Sequence, residues 1–425
     1  MSDQSYVRTE MLGEQPAPLG EAGMLKWMRE NLFSGVINSI VTLVSIAVIV
    51  MVLLQFIPWL LQPTWTYGSL RQCLDDPNVN GACWGVINDR VNQLMYGFFP
   101  HSQQWRPNLA FFLMLIAVAP VLFDKLPRKM VWFSAIYPFL GAWLLWGGSI
   151  WNPVLVVAGF VVGYFVFRLL HGMIGNLAMI GAVLAALLWW LYGVGPLSEG
   201  LSSVLPLGIE AVPSSQFGGF MLSMTIGISG IALSLPIGIV LALGRQSDMF
   251  IIKTLSVGYI ELIRGVPLIT LLFVASVLLN YFMPPGTNFD LILRVIIMVT
   301  LFAAAYMAEV IRGGLAALPT GQYEAADALG LDYWKSMQLI IMPQALKISI
   351  PGIVGTFIGL FKDTTLVSVI GLLDPVGLIR TIQGTAEWNG IVWELFLFVS
   401  LLFWLFCFSM SRYSMYLERK LQKSH

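Results

Sequence analysis

Charge is what this chain has least of. Only 11% of its 425 residues are Asp, Glu, Lys or Arg, against about 25% in an ordinary soluble domain. Hydrophobic residues make up 57% and the mean hydropathy is +0.79, so a water-soluble fold is excluded and a polytopic membrane protein is expected. Lys plus Arg and Asp plus Glu balance at 23 each, which leaves no basic field to hold nucleic acid. The three Cys and three His are scattered, with no zinc or redox spacing, and no metal site is expected. The pattern G-x-x-x-x-G-K-[ST] does not occur, so the chain is expected neither to hydrolyse ATP nor to bind a cofactor of its own. Nor is a cleavable leader expected. The first 30 residues are polar, with Arg8, Lys26 and Arg29, and the apolar run behind them is long enough to span, so the first span is expected to be its own anchor.

What is present is a series of apolar runs. A span needs about 20 mostly apolar residues, and ten stretches qualify: 36–61, 108–123, 131–148, 153–170, 174–195, 217–243, 263–282, 291–311, 347–372 and 391–411. The expected fold is therefore all-α, a helical bundle of about ten transmembrane helices. Basic residues collect in alternate connections: Lys125, Arg128 and Lys129; Arg168; Arg245 and Lys253; Arg312, Lys335 and Lys347; and Arg412, Arg419, Lys420 and Lys423 in the tail. The connections 196–216 and 283–290 carry none. The positive-inside rule then puts both termini in the cytoplasm. Arg71, Arg90 and Arg106 in the external 62–107 loop are offset by Asp75, Asp76 and Asp89, and a single Arg380 near 372–390 does not reverse the order.

Cys73 and Cys83, ten residues apart in that loop, fit two readings: an extracytoplasmic disulfide or two free thiols. Spans one to five, within residues 31–195, hold few ionisable groups, and Gly159 and Gly163 form a GxxxG suited to close helix packing. Residues 196–216, rich in Gly, Pro and Ser, read as a joint. Beyond 217 charge moves into and beside the spans.

The stretch "EAADALGLDYWKSMQLIIMPQA", 324–345, interrupts two apolar runs with polar residues. Thr320 is expected to cap a short helix with Glu324 in its first turn. Ala325, Ala328 and Leu329 fall on one side and Glu324 and Asp327 on another. Gly330 stands where a left-handed C-terminal cap is expected. Asp332 then caps a second short amphipathic helix from Tyr333 to about Met342, with Trp334, Met337 and Ile341 on one face. An ordinary helix-Gly-helix surface hairpin is the plain alternative to a docking element.

Glu-Ala-Ala at 324–326, Gly330 six residues after the Glu, and Ile341, Met342 and Pro343 resemble the EAA signature of the integral membrane subunits of ABC importers. Met342 stands where the family usually has Leu. The stretches "YIELIRGVPLI" (259–269), "AAYMAEVIRGG" (304–314), "LSMTIGISGIALSLPIGIVLALGR" (222–245) and "LFKDTTLVSVIG" (360–371) are similar to segments of the polar-amino-acid permease branch. Together they cover about residues 217–415. With the added N-terminal spans the chain resembles the longer M or C type permease of the general L-amino-acid transporter. The resemblance implies a type I importer transmembrane domain at 217–415 with its coupling loop at 319–344, flanked by a cytoplasmic segment 1–30 and a tail 416–425. It also implies a non-catalytic inner-membrane subunit that works with ABC ATPase subunits carrying ATP and Mg, a second homologous permease and an extracytoplasmic amino-acid-binding protein. Glu324, Ala325, Ala326, Asp327 and Gly330 would then couple ATP-driven closure to the spans.

Three further sets of residues stand out. Glu261 with Arg264, and Glu309 with Arg312, are spaced i, i+3, so each pair is expected to meet on one helical face as a structural ion pair. Lys362 and Asp363 interrupt an apolar segment, where a charge costs at least about 2.5–3.5 kcal/mol and must face protein or water. Pro351, Gly352, Gly355 and Gly359 permit a broken helix there, a common setting for substrate contacts. A zwitterionic amino acid needs donors and an acceptor, for which Thr356, Lys362, Asp363, Thr364 and Thr365 are candidates; a buried structural pair is the other reading. Many relatives place Asn-Glu where this chain has Gly355 and Thr356, a departure that leaves selection to the partner permease or the binding protein. An ion-coupled secondary transporter is the alternative class, but it calls for inverted repeats with charged, discontinuous helices in both halves.

Overall fold

The structure, a computed structural model, describes residues 23–77, 81–123, 125–278, 281 and 290–422. Arg8, Lys423 and the 283–289 part of the uncharged connection lie outside the described residues. Packing divides the chain into two units, Met1–Gly85 and Val86–His425, rather than at the 196–216 segment.

In the first unit α1 (Met24–Asn31) precedes α2 (Val36–Leu61), an apolar helix with no buried residue. A short loop after it is tied by Ala82 N–H donating to Trp59 O at 2.8 Å and Thr64 N–H to Ala82 O at 2.9 Å. α3 (Leu70–Asp75), whose N-cap Ser69 accepts from the Gln72 amide, carries Cys73 to Cys83, and the two form a disulfide. Of the two readings left by the sequence, the bridge is the one realised.

The second unit begins with α4 (Gly85–Tyr96), then α5 (Trp105–Leu122), α6 (Val131–Trp146), α7 (Trp151–Ile174), α8 (Ala178–Leu188) and α9 (Val194–Val204). α10 (Gly219–Gln246), α11 (Phe250–Gly265), α12 (Leu268–Phe273) and α13 (Leu291–Ala316) come next. The chain ends with α14 (Thr320–Ala328), α15 (Tyr333–Ser336), α16 (Met342–Asp363), α17 (Pro375–Gln383) and α18 (Trp393–Gln422). Among the described residues eight helical runs are long and apolar enough to cross a membrane, and a bent pair makes nine; α6, with 16 residues, is the short tenth.

Two segments differ from expectation. The 263–282 span is not one helix: Phe250–Gly265 and Leu268–Leu278 meet at 100°. Pro267, which lacks an amide and pushes Val266 into extended backbone, forces the break. The first part of the 196–216 joint is helix, because α9 runs to Val204. β2 (Gly208–Ile209) then pairs antiparallel with β1 (Gly148–Ser149).

Small residues set the helix contacts, as they do where lipid supplies no hydrophobic drive. Gly159 and Gly163 are buried, and a Cβ on Gly159 would collide with the Trp190 indole of the neighbouring segment. That indole donates to Val156 O at 2.9 Å. On α10, Gly227, Gly230, Ser234 and Gly238 recur at three- and four-residue steps; a Cβ on Gly238 would lie 2.7 Å from Met307 Cβ and one on Gly230 3.1 Å from Val299 Cγ1. At one end of the bundle Gly97 bridges Phe217 and Gly218 bridges Leu373. Gly219 there has φ +61° and sits against the Leu94 carbonyl, which only glycine permits.

Two clusters fill the core. One, nearer those bridges, holds Phe217, Leu222, Ile226, Leu272, Ile292 and Val367. The other, at the opposite end, holds Ile260, Met307, Ile311, Met337, Ile341 and Ala345.

Asp374-Pro375 starts α17: the fully buried Asp374 carboxylate accepts from the Val376 and Gly377 amides at 3.1 and 3.0 Å. Burial pushes this carboxyl up from 3.8 to about 6, against the opposing pull of those amides and Arg380. Between those values the folded protein holds a proton that the unfolded chain releases. The contribution is therefore complete below 3.8 and lost as pH rises through about 6. Asp374→Asn, which keeps a capping oxygen without the charge, is expected to raise stability at pH 7 by on the order of 1–3 kcal/mol and to flatten this dependence; thermal melts at pH 5 and 7.5 check it.

Candidate functional site

The polar residues that the sequence marks in the second half occupy two places. The first is the elbow end of α13 and α14. Ala317, Leu318 and Pro319 turn the chain, and Pro319, not Thr320, is the N-cap of α14, with no side-chain cap bond. α14 is held by one face: Ala326 is fully buried, the Tyr323 hydroxyl points to Leu315 O at 3.5 Å, and Gln344 Nε2 donates to Gln322 Oε1 at 2.9 Å. Burial pushes the Tyr323 phenol up, so it stays a donor. Glu324, Ala325, Asp327 and Ala328 are exposed, and Leu329 is 73% exposed.

Gly330 has φ +68°. Its amide donates to Asp327 O at 2.9 Å and the Leu331 amide to Ala326 O at 3.2 Å, a Schellman close that uses up the orphan carbonyls of α14. Asp332 caps α15, accepting from the Lys335 amide at 2.8 Å.

α15 is not part of a second short surface helix. Tyr333–Ser336 passes through a π turn at Met337–Ile341 into α16, a continuous run from Tyr333 to Ile370. Pro343 does not stop it, because the wider π turn ahead absorbs the amide and ring that an α-helical ladder would not tolerate. Met337 and Ile341 are buried in the core, whereas Trp334 is 70% exposed and does not share their face.

A charged collar lies beside the elbow. Glu309 and Arg312 pair as expected, Arg312 Nη2 donating to Glu309 Oε2 at 2.9 Å. Glu261 and Arg264 do not pair. Glu261 accepts from Arg245 of α10 at 2.9 Å, and Arg264 reaches Glu309 Oε2 at 3.6 Å while stacking over Tyr306 at 5.5 Å. Arg245 Nη1 is also 3.0 Å from Glu309 Oε1, without the alignment of a hydrogen bond. Glu309, whose side chain is 15% exposed, thus gathers three arginines and ties α10, α11 and α13 at one end. Sequence spacing alone misses Arg245, although its place at the end of α10, on the same side as Arg264 and Arg312, is a usable signal.

The second place is the end of α16. The helix stops at Asp363 and tightens to a 3-10 turn over Thr364–Ile370. Its last carbonyls are taken by hydroxyls: Thr364 donates to Phe361 O at 2.8 Å, Thr365 to Lys362 O at 2.9 Å and Ser368 to Thr365 O at 3.0 Å. Thr356 likewise donates to Gly352 O at 2.9 Å. Thr364 is fully buried, so it faces helix α10 at Gly227 and not an opening. Lys362 is exposed and Asp363 half-buried, with Phe361 inward against Phe403 and Phe220. No His, Cys, Asp or Glu cluster able to hold a metal occurs among the described residues.

A multi-pass helical domain carries α14 on an exposed elbow, and its α16 span tightens to a 3-10 turn just past Lys362; this is the architecture of a membrane transport subunit. The chain belongs to the family of binding-protein-dependent transport system inner membrane components, whose model matches residues 234–423. It is 58% identical to the glutamate/glutamine/aspartate/asparagine transport system permease protein BztC of Rhodobacter capsulatus, over 100% of both chains. The inner membrane amino-acid ABC transporter permease protein YhdY of Escherichia coli K12 is 40% identical over 96% of this chain and 95% of its own. The glutamate/aspartate import permease protein GltK of Escherichia coli O6:H1 is 31% identical over 49% of this chain and 95% of its own, so about half of this chain lies outside that shorter relative.

Removing the charge at the collar's centre separates the hub from its rim. Glu309→Gln leaves three arginines without their shared partner and is expected to lower stability by about 1–3 kcal/mol. Glu261→Gln, at the exposed edge, is expected to leave the melting temperature nearly unchanged. Thermal unfolding of both variants in one detergent checks the contrast.

Proposed function

We propose that this chain is the longer permease of an importer for acidic amino acids and their amides, the substrates in the name of its full-length relative in Rhodobacter capsulatus. Membership of a binding-protein-dependent family implies ATPase and binding-protein partners and sets aside the ion-coupled alternative. We further propose that the subunit is non-catalytic, with ATP and Mg held by two ATPase subunits, and that it pairs with a second, homologous permease. Both termini and α14 face the cytoplasm in this reading, in keeping with the positive-inside distribution.

The observation that carries the proposal is the half-exposed α14. Ala326 and Tyr323 bolt it to the protein's own core, while Glu324, Ala325, Asp327, Ala328 and Leu329 are left outward. An ATPase cleft can grip that face, and Gly330 fixes the angle at which motion passes into α16. From Glu309 the same motion reaches α10 and α11 through the arginine collar. At the far end of α16, Lys362 is suited to a substrate carboxylate and Asp363 to its ammonium, with Thr356 and Thr365 nearby and Thr364 positioning the break. An exposed cation at a span's interruption is costly toward lipid, which favours a place for Lys362 on the side covered by the second permease.

Leu329→Asp and Gly330→Val test the coupling role. A Cβ at Gly330 meets nothing, so the valine adds only left-handed strain of roughly 1–2 kcal/mol. Both variants are expected to keep ATPase copurification, Leu329→Asp with unchanged melting and Gly330→Val with a slightly lowered melting temperature, while uptake by the assembled transporter drops about tenfold or more; normal uptake in either would remove the proposed role. For substrate, Lys362→Gln is expected to weaken glutamate transport more than glutamine transport, read by competition uptake, and equal losses would count against the carboxylate contact.

A further inference from the structure

We infer that the groove between the end of α5 and the start of α6 is a binding site for one anionic phospholipid. Pro120 lies in the last turn of α5, Leu126 and Arg128 come from the connection, and Val131, Trp132 and Ala135 come from α6; together they line an open cavity of about 680 Å³. Phe123, edge-on to Tyr413 of α18 at 6.1 Å, stands beside it. The lining is apolar apart from Arg128, as an acyl chain requires.

The mouth of the groove is cationic. Lys125, Arg128 and Lys129 are all exposed, and among the described residues none of them forms an ion pair. The contrast with Arg245, Arg264 and Arg312, each paired in the collar, is direct. Even counting Asp124, which lies outside the described residues, the connection sets three cations against one carboxylate. Arg128–Met130 forms a single 3-10 turn leading into α6, whose N-terminus has no side-chain cap and no acidic residue in its first turn. The dipole at that N-terminus favours an anion at the same mouth. Trp132, 75% exposed, has the amphipathic ring that sits at headgroup level.

Depth fits as well. α18 runs beside α16 with Phe403 and Phe406 against Phe361, so its later turns lie toward the elbow end. Tyr413 of those turns donates to Leu122 O. The groove therefore opens at the elbow end of the bundle, where an acyl chain lies along the helices and a phosphate meets the three cations. A phosphatidylglycerol-type lipid satisfies both halves; a neutral headgroup leaves the cations unmatched, and a free phosphate leaves the groove empty. The inference uses the inner-membrane placement and leans on the proposed orientation only for the choice of leaflet.

Native mass spectrometry of the purified, delipidated transporter complex tests this with phosphatidylglycerol and phosphatidylethanolamine of identical chains. Phosphatidylglycerol is expected to bind about tenfold or more tightly. Exchanging Lys125, Arg128 and Lys129 for Gln together removes that preference, and Ala135→Trp, which fills the groove and keeps every charge, lowers retention of the lipid. Inorganic phosphate in large excess is expected not to displace it. Equal binding of the two lipids, an unchanged preference in the charge variant, or displacement by phosphate would each overturn the site. If the charge variant does not assemble, Ala135→Trp still decides, since undiminished binding there excludes the groove. Because binding is read without transport, its outcome is separate from that of the coupling and substrate tests.

Discussion

Inside a bilayer no water stands ready to satisfy a polar group, so every charge and every broken backbone bond has to be answered by the protein itself. Glu309 is the centre of one such answer, drawing Arg245, Arg264 and Arg312 from three helices. The same requirement appears wherever the helical ladder is interrupted. At the π turn after α12, Arg294 Nη1 donates to Ser276 O at 2.9 Å. At the end of α6 the fully buried Arg106 donates to Leu144 O at 2.7 Å and to Glu210 O at 2.8 Å. At the end of α16 threonine and serine hydroxyls take that part. At these three interruptions a donor of fitting reach is at hand.

This condition shapes how movement can pass through the molecule. α14 is fastened over the inner core cluster and shares with α13 a short buried turn through Leu318. The small residues of α10 let it lie close on α13, so displacement of α13 is met by direct backbone-level contact and not by flexible side chains. The collar clamps these helices at one end, and farther along a single hydroxyl, Tyr259 of α11 donating to Leu301 O of α13 at 2.8 Å, adds to the packing.

Much of this is legible in sequence, and the limits have physical causes. Apolar length locates the spans because membrane thickness sets a minimum, and Gly330 and Asp332 are readable because left-handed backbone and helix caps select residue types locally. The Asp-Pro start of α17 is equally available as a cap followed by a first-turn proline, though the carboxyl's burial is not. Partner choice is harder. An i, i+3 spacing permits Glu261 to meet Arg264, yet a charge-assisted bond from Arg245 across helices wins, a choice made by packing. Pro343 misleads because the π turn ahead of it admits a proline that a constant α-helical ladder would not. The 100° bend at Pro267 hides inside a run of even average hydropathy.

One contact joins the two halves of the long chain in time as well as in space. Trp388 is fully buried, and its indole donates at 2.8 Å to Asp89 of α4, 299 residues earlier; Arg90 beside it reaches Glu387 at 3.7 Å. At about 5–20 residues per second, synthesis leaves α4 waiting roughly 15–60 s for that partner. During that interval Asp89 lacks the indole from which it accepts in the finished fold. Closing this end of the fold therefore has to wait for the end of synthesis, because one side of the contact is made early and the other among the last residues.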